Sequence, residues 1–364
     1  MTITLASAAA EPIVIAHRGA SGDVPEHTLA AYFVAIEQGA DFIEPDLVLT
    51  RDGVLVARHE NEIGGTTDVA SRPEFAARRT TKMIDGERVT GWFTEDFTLA
   101  ELKTLRARER LPELRRASAR FDGQFEIPTF EEVLQLLQSV DTLRRRRARM
   151  AGLPRPARIG VYPETKHPSY FESLGLSFDR PLLRLLERYG YRSRRDPAFI
   201  QSFETANLRR LRSKTALRLV QLVASSGRPY DFVVSGDPRS YTDLLSAAGL
   251  AEIAGYAAAI GPQKDLVVSR NADGSLGSDT GLARRAHQAG LTVHVWTLRA
   301  ENQFLPADLR RGTSGAEHGN LAAEIAALLD AGVNGIFTDQ PAQAVRARDD
   351  WLARRQRSTA VRSR

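Results

Sequence analysis

The sequence predicts an α/β fold, a closed (β/α)8 TIM barrel, and three observations favour it. Eight apolar runs of strand type alternate with segments of helical periodicity, the pattern of parallel strands joined by helices. Several helical segments end at glycine, which commonly closes the C-terminus of a helix. Histidine and charged residues cluster at or near the C-terminal ends of the strand-like runs, where barrel enzymes keep their active sites.

The strand-like runs and helical patterns follow one another along the chain. The runs lie at residues 13–16, 42–46, 54–58, 159–164, 199–203, 217–222, 292–297 and 335–338. The helical patterns lie at residues 28–38, 130–138, 182–188, 206–213, 282–289 and 321–331. In the first of these, Leu29, Phe33 and Ile36 recur at the spacing of one helix face, and Gly39 follows the last turn.

Two long stretches do not fit a simple strand–helix repeat. Residues 61–126 follow the third run, and within them Thr98 and Glu101 have the spacing of a capping box, which predicts a helix over residues 98–107. Residues 231–264 separate the sixth and seventh runs. Their apolar segment 232–234 could be a short strand, which leaves the strand numbering open there. Loops this long are usually functional.

The chain is expected to form one compact unit, since neither long stretch has low complexity or the composition of a linker. We predict a single barrel domain at residues 11–345, in which residues 61–126 form a small insertion lobe after the third strand. Residues 346–364 are predicted to be a basic C-terminal tail.

The composition bounds the class of protein. The 364 residues contain no cysteine, so a disulfide framework and thiol catalysis are excluded. No apolar run approaches the ~20 residues that span a bilayer, and we expect no integral membrane segment. The net charge of +5 includes arginine clusters at residues 143–149, 192–195 and 354–357. No groove-reading motif accompanies them, so we interpret them as solvated arginines and expect no nucleic-acid partner.

The first ten residues leave the localisation open. They end in small residues, as a signal-peptide cleavage region does, but they lack a basic n-region and a full apolar core. They fit the remnant of a signal sequence, which implies a periplasmic or secreted protein, or a disordered tail on a cytoplasmic one. The oligomeric state is likewise open.

Three carboxylates suggest a metal site. Glu44 and Asp46 lie two apart on one strand-like run, so their side chains point the same way. Glu164 is a third carboxylate, late on the fourth run. Three carboxylates and water suit Mg²⁺ or Ca²⁺. The alternative is that the carboxylates face solvent or pair with arginine, which is unfavourable for an unpaired charge in a barrel interior.

Histidines and cations complete the pattern of metal-assisted chemistry on a phosphate ester. His17 and His59 each follow a strand-like run and are candidates for the general acid and base, without a decision as to which is which. Arg18 and Lys166 are candidate clamps for the phosphate, or salt-bridge partners of the carboxylates. His27 is expected to cap or pack.

Several motifs together resemble the glycerophosphodiester phosphodiesterase family. Residues 15–29 (IAHRGASGDVPEHTL) resemble its opening motif, and Glu44, Asp46 and residues 51–59 (RDGVLVARH) continue the pattern at the usual spacing. Residues 161–168 (VYPETKHP), 200–203 (IQSF), 293–297 (VHVWT) and 335–341 (GIFTDQP) are similar to later motifs in the same order. The resemblance runs from about residue 13 to 341 and favours the bacterial periplasmic branch, which has an insertion after the second histidine.

The resemblance implies an activity and further site residues. It implies metal-dependent hydrolysis of a small-molecule glycerophosphodiester to sn-glycerol 3-phosphate and an alcohol. The expected route is attack by the substrate's own glycerol hydroxyl, followed by opening of the cyclic phosphate by water. It assigns His17 and His59 to catalysis, and it implies that Gln201, Phe203 and Trp296 line a glycerol pocket. Residues 61–126 would be a lobe over the barrel mouth.

Two other functions are compatible with the sequence. A lysophospholipase D or a sphingomyelinase-D-like enzyme on the same barrel would need an apolar entrance, and no membrane-binding helix is apparent. A non-catalytic binding protein would be signalled by the loss of a histidine or a carboxylate, and all five are present.

Overall fold

The computed structural model describes the backbone of residues 11–362 and the side chains of residues 11–358, so the small-residue segment at residues 1–10 lies outside the described part. The strands are Ile13–His17, Phe42–Glu44, Asp46–Leu49, Leu55–Ala57, Thr80–Ile84, Glu87–Gly91, Gly160–Val161, Glu164–Thr165, Phe199–Ser202, Arg218–Val223, Ala259–Pro262, Val268–Arg270, Leu276–Asp279, Thr292–Leu298 and Gly335–Thr338.

The helices confirm the predicted alternation. The α-helices are Leu29–Glu37, Leu99–Leu102, Arg116–Ala119, Phe130–Met150, Pro168–Ser173, Asp179–Arg188, Thr205–Arg212, Tyr230–Ser235, Tyr241–Leu244, Ala247–Ala254, Leu282–Gln288, Leu321–Asp330 and Pro341–Arg362. Short 3-10 turns lie at Val69–Ser71, Pro73–Arg78, Thr94–Asp96, Lys264–Leu266, Asn302–Phe304 and Ala307–Leu309. Each of the six predicted helices is present, and only the one that begins at Phe130 is much longer than predicted.

Eight parallel strands close the predicted barrel. In order they are barrel strand 1 (Ile13–His17), 2 (Phe42–Glu44 with Asp46–Leu49), 3 (Gly160–Val161 with Glu164–Thr165), 4 (Phe199–Ser202), 5 (Arg218–Val223), 6 (Ala259–Pro262), 7 (Thr292–Leu298) and 8 (Gly335–Thr338). Each pairs in parallel with the next, and barrel strand 8 pairs with barrel strand 1. Pro45 interrupts barrel strand 2 because proline has no N–H for the ladder.

Two of the predicted strand assignments are corrected. Leu55–Ala57 pairs antiparallel with Asp46–Leu49 and is a hairpin arm outside the parallel ring. Barrel strand 6 instead comes from the second long stretch, whose segment 232–234 is helical. Its sequence of small residues, glycine and proline resembles a turn, but a methyl group at Gly261 would lie 2.6 Å from Leu222. Close packing against barrel strand 5 therefore explains why an atypical sequence forms this strand.

The insertion at residues 61–126 contains its own small elements and lies between the hairpin arm and barrel strand 3. A hairpin of Thr80–Ile84 and Glu87–Gly91 is its sheet component. The predicted capping box at Thr98 and Glu101 is present, but the helix that it starts ends at Leu102. The division into one domain with an insertion lobe stays a prediction.

The last helix, Pro341–Arg362, spans the predicted boundary between residues 345 and 346 without a break. It packs against the preceding helix, with Ala344, Ala347 and Trp351 buried. Among residues 11–362, no helix has both the length and the apolar composition needed to cross a membrane.

Candidate active site

A cavity of about 860 Å³ opens at the C-terminal end of the barrel. Nine of the ten predicted site residues line it: His17, Arg18, Glu44, His59, Glu164, Lys166, Gln201, Phe203 and Trp296. The tenth, Asp46, contacts Arg18 and Lys166 from the cavity wall. Sheet register explains the convergence, because His17 lies opposite Glu44, Asp46 opposite Glu164, and Glu164 opposite Gln201.

The three predicted carboxylates form one buried group. Ligand oxygens of Glu44, Asp46 and Glu164 lie within 4.8 Å of one another, and the residues are 1 %, 1 % and 5 % exposed. Asp46 Oδ1 has no hydrogen-bond partner within residues 11–362, and Lys166 Nζ lies 3.5 Å from it. An orphaned buried oxygen in a carboxylate cluster fits the donor set of a hard divalent cation.

The charges around this group are unevenly matched. Lys166 Nζ lies 2.7 Å from Glu164 Oε1, Arg18 Nε lies 3.2 Å from Asp46 Oδ2, and the Gln201 amide donates to Glu44 at 3.0 Å. Burial, followed by the charge of Asp46, raises the pKa of Glu44 well above its usual value. Burial and Asp46 also raise the pKa of Glu164 to about 8, although Lys166 opposes this. Burial is therefore the main cause of both raised pKa values, and the charge of Asp46 adds to it.

His17 is held by a carboxylate of barrel strand 8. Its Nδ1 lies 2.6 Å from Asp339 Oδ1, and both side chains are buried. Burial, followed by the charge of Arg18, lowers the pKa of His17 to about 4, although Asp339 acts in the opposite direction. The imidazole is therefore neutral near pH 7 and can accept a proton.

His59 forms a similar pair with its neighbour, since its Nδ1 is hydrogen-bonded to Glu60. Its side chain remains 29 % exposed at the cavity wall. Desolvation, followed by the charges of Arg18 and Lys166, lowers the pKa of His59, while Glu60 acts in the opposite direction. The cavity thus holds two histidines, each oriented through Nδ1 by a carboxylate.

Aromatic side chains form one wall of the cavity. The Trp296 indole N–H donates to the Gly261 carbonyl at 2.7 Å, which fixes the ring. Phe203 packs edge-to-face on Trp296 at 5.7 Å between ring centroids. Lys166 Nζ lies 5.8 Å from the Phe203 centroid. An apolar wall therefore begins beside the candidate phosphate clamp.

Comparison with known proteins identifies the family of this chain. The model of the glycerophosphoryl diester phosphodiesterase family matches residues 17–343, most of the chain. The chain belongs to this family.

Curated relatives match this chain over about nine tenths of its length. A glycerophosphodiester phosphodiesterase of Arabidopsis thaliana is 35% identical over 90% of this chain and 83% of its own length. One from Haemophilus influenzae is 28% identical over 91% of this chain and 88% of its own. The chain is accordingly an enzyme, a phosphoric diester hydrolase of the glycerophosphodiester phosphodiesterase type.

Solved structures share the fold of the family enzyme. A glycerophosphodiester phosphodiesterase from Agrobacterium tumefaciens has a TM-score of 0.52 at 20% identity, over 92% of this chain and 98% of its own. An Oleispira antarctica phosphodiesterase, solved in complex with sn-glycerol 3-phosphate, has a TM-score of 0.56 at 19% identity, over 93% and 97%. At such identities the likeness concerns the fold.

Sequence reasoning missed several residues that support the site. His27 is fully buried, as the packing interpretation requires, but its Nε2 also lies 3.0 Å from Asp46 Oδ2. Asp339 and Glu60 orient the two histidines. Asp339 directly follows barrel strand 8, so the rule that selected His17, a polar residue at a strand end, applies to it as well. His167, which was not predicted as a site residue, lines the cavity and bonds Asp85 of the insertion lobe at 2.6 Å.

Proposed function

We propose that this enzyme hydrolyses glycerophosphodiesters to sn-glycerol 3-phosphate and an alcohol, with one divalent cation, Ca²⁺ or Mg²⁺, and with His17 and His59 as its acid and base. The observation that carries the proposal is the buried carboxylate group, in which Asp46 Oδ1 lacks a hydrogen-bond partner within residues 11–362. Glu44 and Glu164 of this group line the same cavity as both histidines and both clamps.

The charge of the site supports a divalent cation. Three carboxylates, Glu44, Asp46 and Glu164, meet two cationic side chains, Arg18 and Lys166. Burial raises the pKa of Glu44 and Glu164, and a bound divalent cation would favour their ionised forms. With neutral histidines and three ionised carboxylates, these five charged side chains and one divalent cation would sum to one positive charge, the complement of a phosphodiester monoanion. Carboxylate oxygens are the ligands that Ca²⁺ and Mg²⁺ prefer.

Glu44, Asp46 and Glu164 would hold this cation. When bound, it supplies positive charge to a nonbridging phosphate oxygen. Arg18 and Lys166 lie on either side of Asp46 and would bind the other nonbridging oxygen, Arg18 by its planar fork and Lys166 as a point charge. Charge that builds on these oxygens in the transition state would strengthen both contacts.

The two histidines would move the protons. One takes the proton from the attacking glycerol hydroxyl while the other protonates the departing alcohol, so the P–O bond to the alcohol breaks as the cyclic ester forms. In the second step water attacks phosphorus and gives its proton to one histidine, the ring P–O bond formed in the first step breaks, and the other histidine protonates that glycerol oxygen, which yields sn-glycerol 3-phosphate. Burial lowers the pKa of both histidines, and each is paired with a carboxylate, so the two roles stay unassigned.

Gln201, Phe203 and Trp296 would bind the glycerol moiety. The fixed Trp296 ring and the Phe203 edge form a flat apolar wall beside Lys166, which suits the carbon face of a polyol. Gln201 Oε1 is buried without a hydrogen-bond partner within the described residues, so a glycerol hydroxyl would supply the missing donor. The neighbour from Oleispira antarctica, of the same fold, was solved with sn-glycerol 3-phosphate.

One observation favours a second candidate, a lysophospholipase D activity. Val233 lines the cavity and is 54% exposed, and its neighbour Val234 is 66% exposed. They lie on the helix Tyr230–Ser235, so the rim offers an apolar contact that the sequence pattern did not suggest. An acyl chain that leaves the cavity would pack there.

A substrate screen tests both candidates. Purified enzyme is assayed on glycerophosphocholine, glycerophosphoglycerol and lysophosphatidylcholine, each with Ca²⁺, Mg²⁺ or excess chelator. The proposal expects cleavage of the two glycerophosphodiesters, with sn-glycerol 3-phosphate as a product, only when a cation is present. A preference for the acylated substrate would support the second candidate.

A further inference from the structure

Two arginines of the insertion extend into the barrel end. Arg110 and Arg115 belong to a loop that Glu109 ties together, since Glu109 accepts from the Leu111 backbone at 2.8 Å and from the hydroxyl of Ser118. The Arg115 side chain is 5% exposed and that of Arg110 is 27% exposed. Neither belongs to the motifs by which the sequence predicts the active site.

Arg115 holds the carboxylate that orients His17. Its Nη2 lies 2.5 Å from Asp339 Oδ2, while Asp339 Oδ1 contacts His17. Its Nε lies 2.6 Å from Glu301 Oε1. Its Nη1 donates to the Ser21 carbonyl at 2.9 Å, and the Ser21 hydroxyl donates to the His17 carbonyl at 2.7 Å. Arg115 therefore braces both the partner and the backbone of His17.

Arg110 has the corresponding position beside His59. Its guanidinium bridges two carboxylates, with Nη2 at 2.7 Å from Glu60 Oε2 and at 2.6 Å from Glu26 Oε1. Glu60 is the partner of His59. Glu26 Oε2 also accepts from Arg18 Nη1 at 2.9 Å. One lobe arginine thus supports a candidate catalytic histidine and a candidate phosphate clamp.

We propose that Arg110 and Arg115 are positioning residues for the reaction, so that the insertion lobe orients both catalytic histidines as well as bordering the cavity. The inference rests on the proposed roles of His17 and His59. A carboxylate that orients an imidazole must itself be held in one rotamer, and an arginine on its second oxygen does this. Loss of Arg110 removes the arginine that holds Glu60. Loss of Arg115 leaves Asp339 Oδ2 with Arg299, whose Nε lies 2.7 Å from it, so Asp339 is held by one arginine instead of two. In both cases we expect a less firmly held carboxylate and a histidine with a less well defined tautomer and orientation.

The first test separates binding from turnover. Arg115→Gln, made with Glu301→Gln so that no unpaired carboxylate is left, is expected to lower kcat about 10- to 100-fold with KM within about threefold. Arg110→Gln is expected to lower kcat similarly. It should also raise KM, because Glu26 then pairs with Arg18 without Arg110, which alters the position of the candidate phosphate clamp. Arg108→Gln is the matched control. It lies in the same loop, is 52% exposed and pairs only at 3.6 Å with Asp122, so its kinetics should stay within about twofold of wild type.

The second test asks whether Arg115 acts through Asp339. If it does, the kcat losses of Arg115→Gln and Asp339→Asn will not multiply in the double variant. The ¹⁵N resonances of the His17 ring supply a readout that is independent of activity. Wild type should show one tautomer near pH 7, and the Arg115 variant a mixture. If circular dichroism shows that the glutamine variants do not fold, Arg115→Lys and Arg110→Lys replace them. Lysine keeps the positive charge but lacks the planar guanidinium, so these variants should still lower kcat at least about fivefold.

Failure of this inference is distinguishable from failure of the proposed function. If wild type cleaves the substrates and His17→Ala and His59→Ala lose activity, but the folded Arg110 and Arg115 variants behave like Arg108→Gln, the positioning role is wrong. Multiplicative losses, or an unchanged His17 tautomer, would also overturn it. If the histidine variants keep wild-type turnover, the proposed function fails instead.

Discussion

At the scale of single residues, the chemistry converges on Asp46. Asp46 Oδ2 pairs with Arg18 and His27. Asp46 Oδ1 lies 3.5 Å from Lys166 Nζ and has no hydrogen bond within residues 11–362. Burial would raise the pKa of Asp46, but Lys166, His27 and other positive charges hold it well below its usual value. Asp46 therefore stays ionised, while the neighbouring Glu44 has a raised pKa. Such a pair is stabilised when a cation joins it.

Removal of the cation should abolish hydrolysis. Excess chelator is expected to eliminate turnover of glycerophosphocholine, and added Ca²⁺ or Mg²⁺ to restore it, because the proposed mechanism needs the positive charge of the cation beside the phosphate. Glu164→Gln should weaken cation binding by at least about tenfold, measured by calorimetry. Full activity in chelator, with no metal detected in the protein, would contradict the metal-dependent mechanism.

Loss of either candidate catalytic histidine should reduce turnover rather than binding. His17→Ala and His59→Ala are each expected to lower kcat by roughly 10²–10⁴, with a much smaller change in KM. His318→Ala is a matched control, since His318 is exposed and is not part of the cavity lining. Near-normal turnover of either variant would assign that histidine a structural role.

Loss of the aromatic wall should affect glycerol substrates selectively. Trp296→Ala is expected to raise KM for glycerophosphocholine, because it removes the proposed contact with the glycerol carbons. The Trp296 ring is held for that contact by the Gly261 carbonyl and by Phe203. Hydrolysis of 2-hydroxyethyl p-nitrophenyl phosphate, which keeps the attacking hydroxyl but lacks the third carbon of glycerol, serves as the control and should change little. Equal losses on both substrates would show that Trp296 supports the site without recognising glycerol.

At the scale of elements, the insertion lobe and the rim helix Tyr230–Ser235 shape the entrance. The lobe hairpin reaches the cavity through Asp85, which bonds His167. The lobe also contributes Arg110 and Arg115 to the barrel end. We therefore expect its replacement by a short linker to lower kcat as well as to alter KM, whereas a simple cover over the mouth would affect binding alone.

The rim helix bears on substrate choice. We expect kcat/KM for a glycerophosphodiester to exceed that for lysophosphatidylcholine at least about tenfold, or about 1.4 kcal/mol in transition-state binding, because the polar groups and the aromatic wall lie next to the phosphate site. Val234→Asp, on the exposed face of the helix, should reduce only the activity on the acylated substrate. A higher kcat/KM for that substrate would reverse the order of the two candidates.

At the scale of the whole molecule, a histidine buried in the barrel interior makes folding stability depend on pH. His294 of barrel strand 7 is 3% exposed and packs with Phe199, and its Nδ1 lies 2.8 Å from the Tyr162 hydroxyl. Burial, followed by the charge of Arg218, lowers the pKa of His294 to about 3. The unfolded chain would bind a proton here near pH 6.5, so folding stability falls as pH drops from about 6.5 towards 3.

Replacement of His294 should make stability less sensitive to acid. For His294→Asn, the free energy of unfolding from urea titrations is expected to decline less between pH 7 and 5 than for wild type, because one proton uptake on unfolding is removed. His318→Asn, at an exposed position, should follow the wild-type slope. Parallel slopes for wild type and His294→Asn would show that other groups govern acid sensitivity.

The sequence by itself determined the barrel class and the six helices, and together with the family resemblance it predicted ten candidate site residues. Periodicity and strand-end position are local properties, so Glu44 and Asp46 on one run, or His17 after another, can be recognised without a structure. The barrel then brings such strand ends together, which is why the cavity collects nine of the ten.

Only the tertiary structure decided which strands close the ring and which residues hold the candidate catalytic histidines. Ala259–Pro262 pairs in parallel with barrel strands 5 and 7, with Gly261 packed closely against Leu222, whereas Leu55–Ala57 pairs antiparallel and lies outside the ring. Arg115 and Asp339 are 224 positions apart and meet at 2.5 Å. No local sequence pattern predicts such a pair. A buried arginine is usually paired with carboxylates that neutralise its charge, and the carboxylates around Arg115 come from separate loops of the barrel.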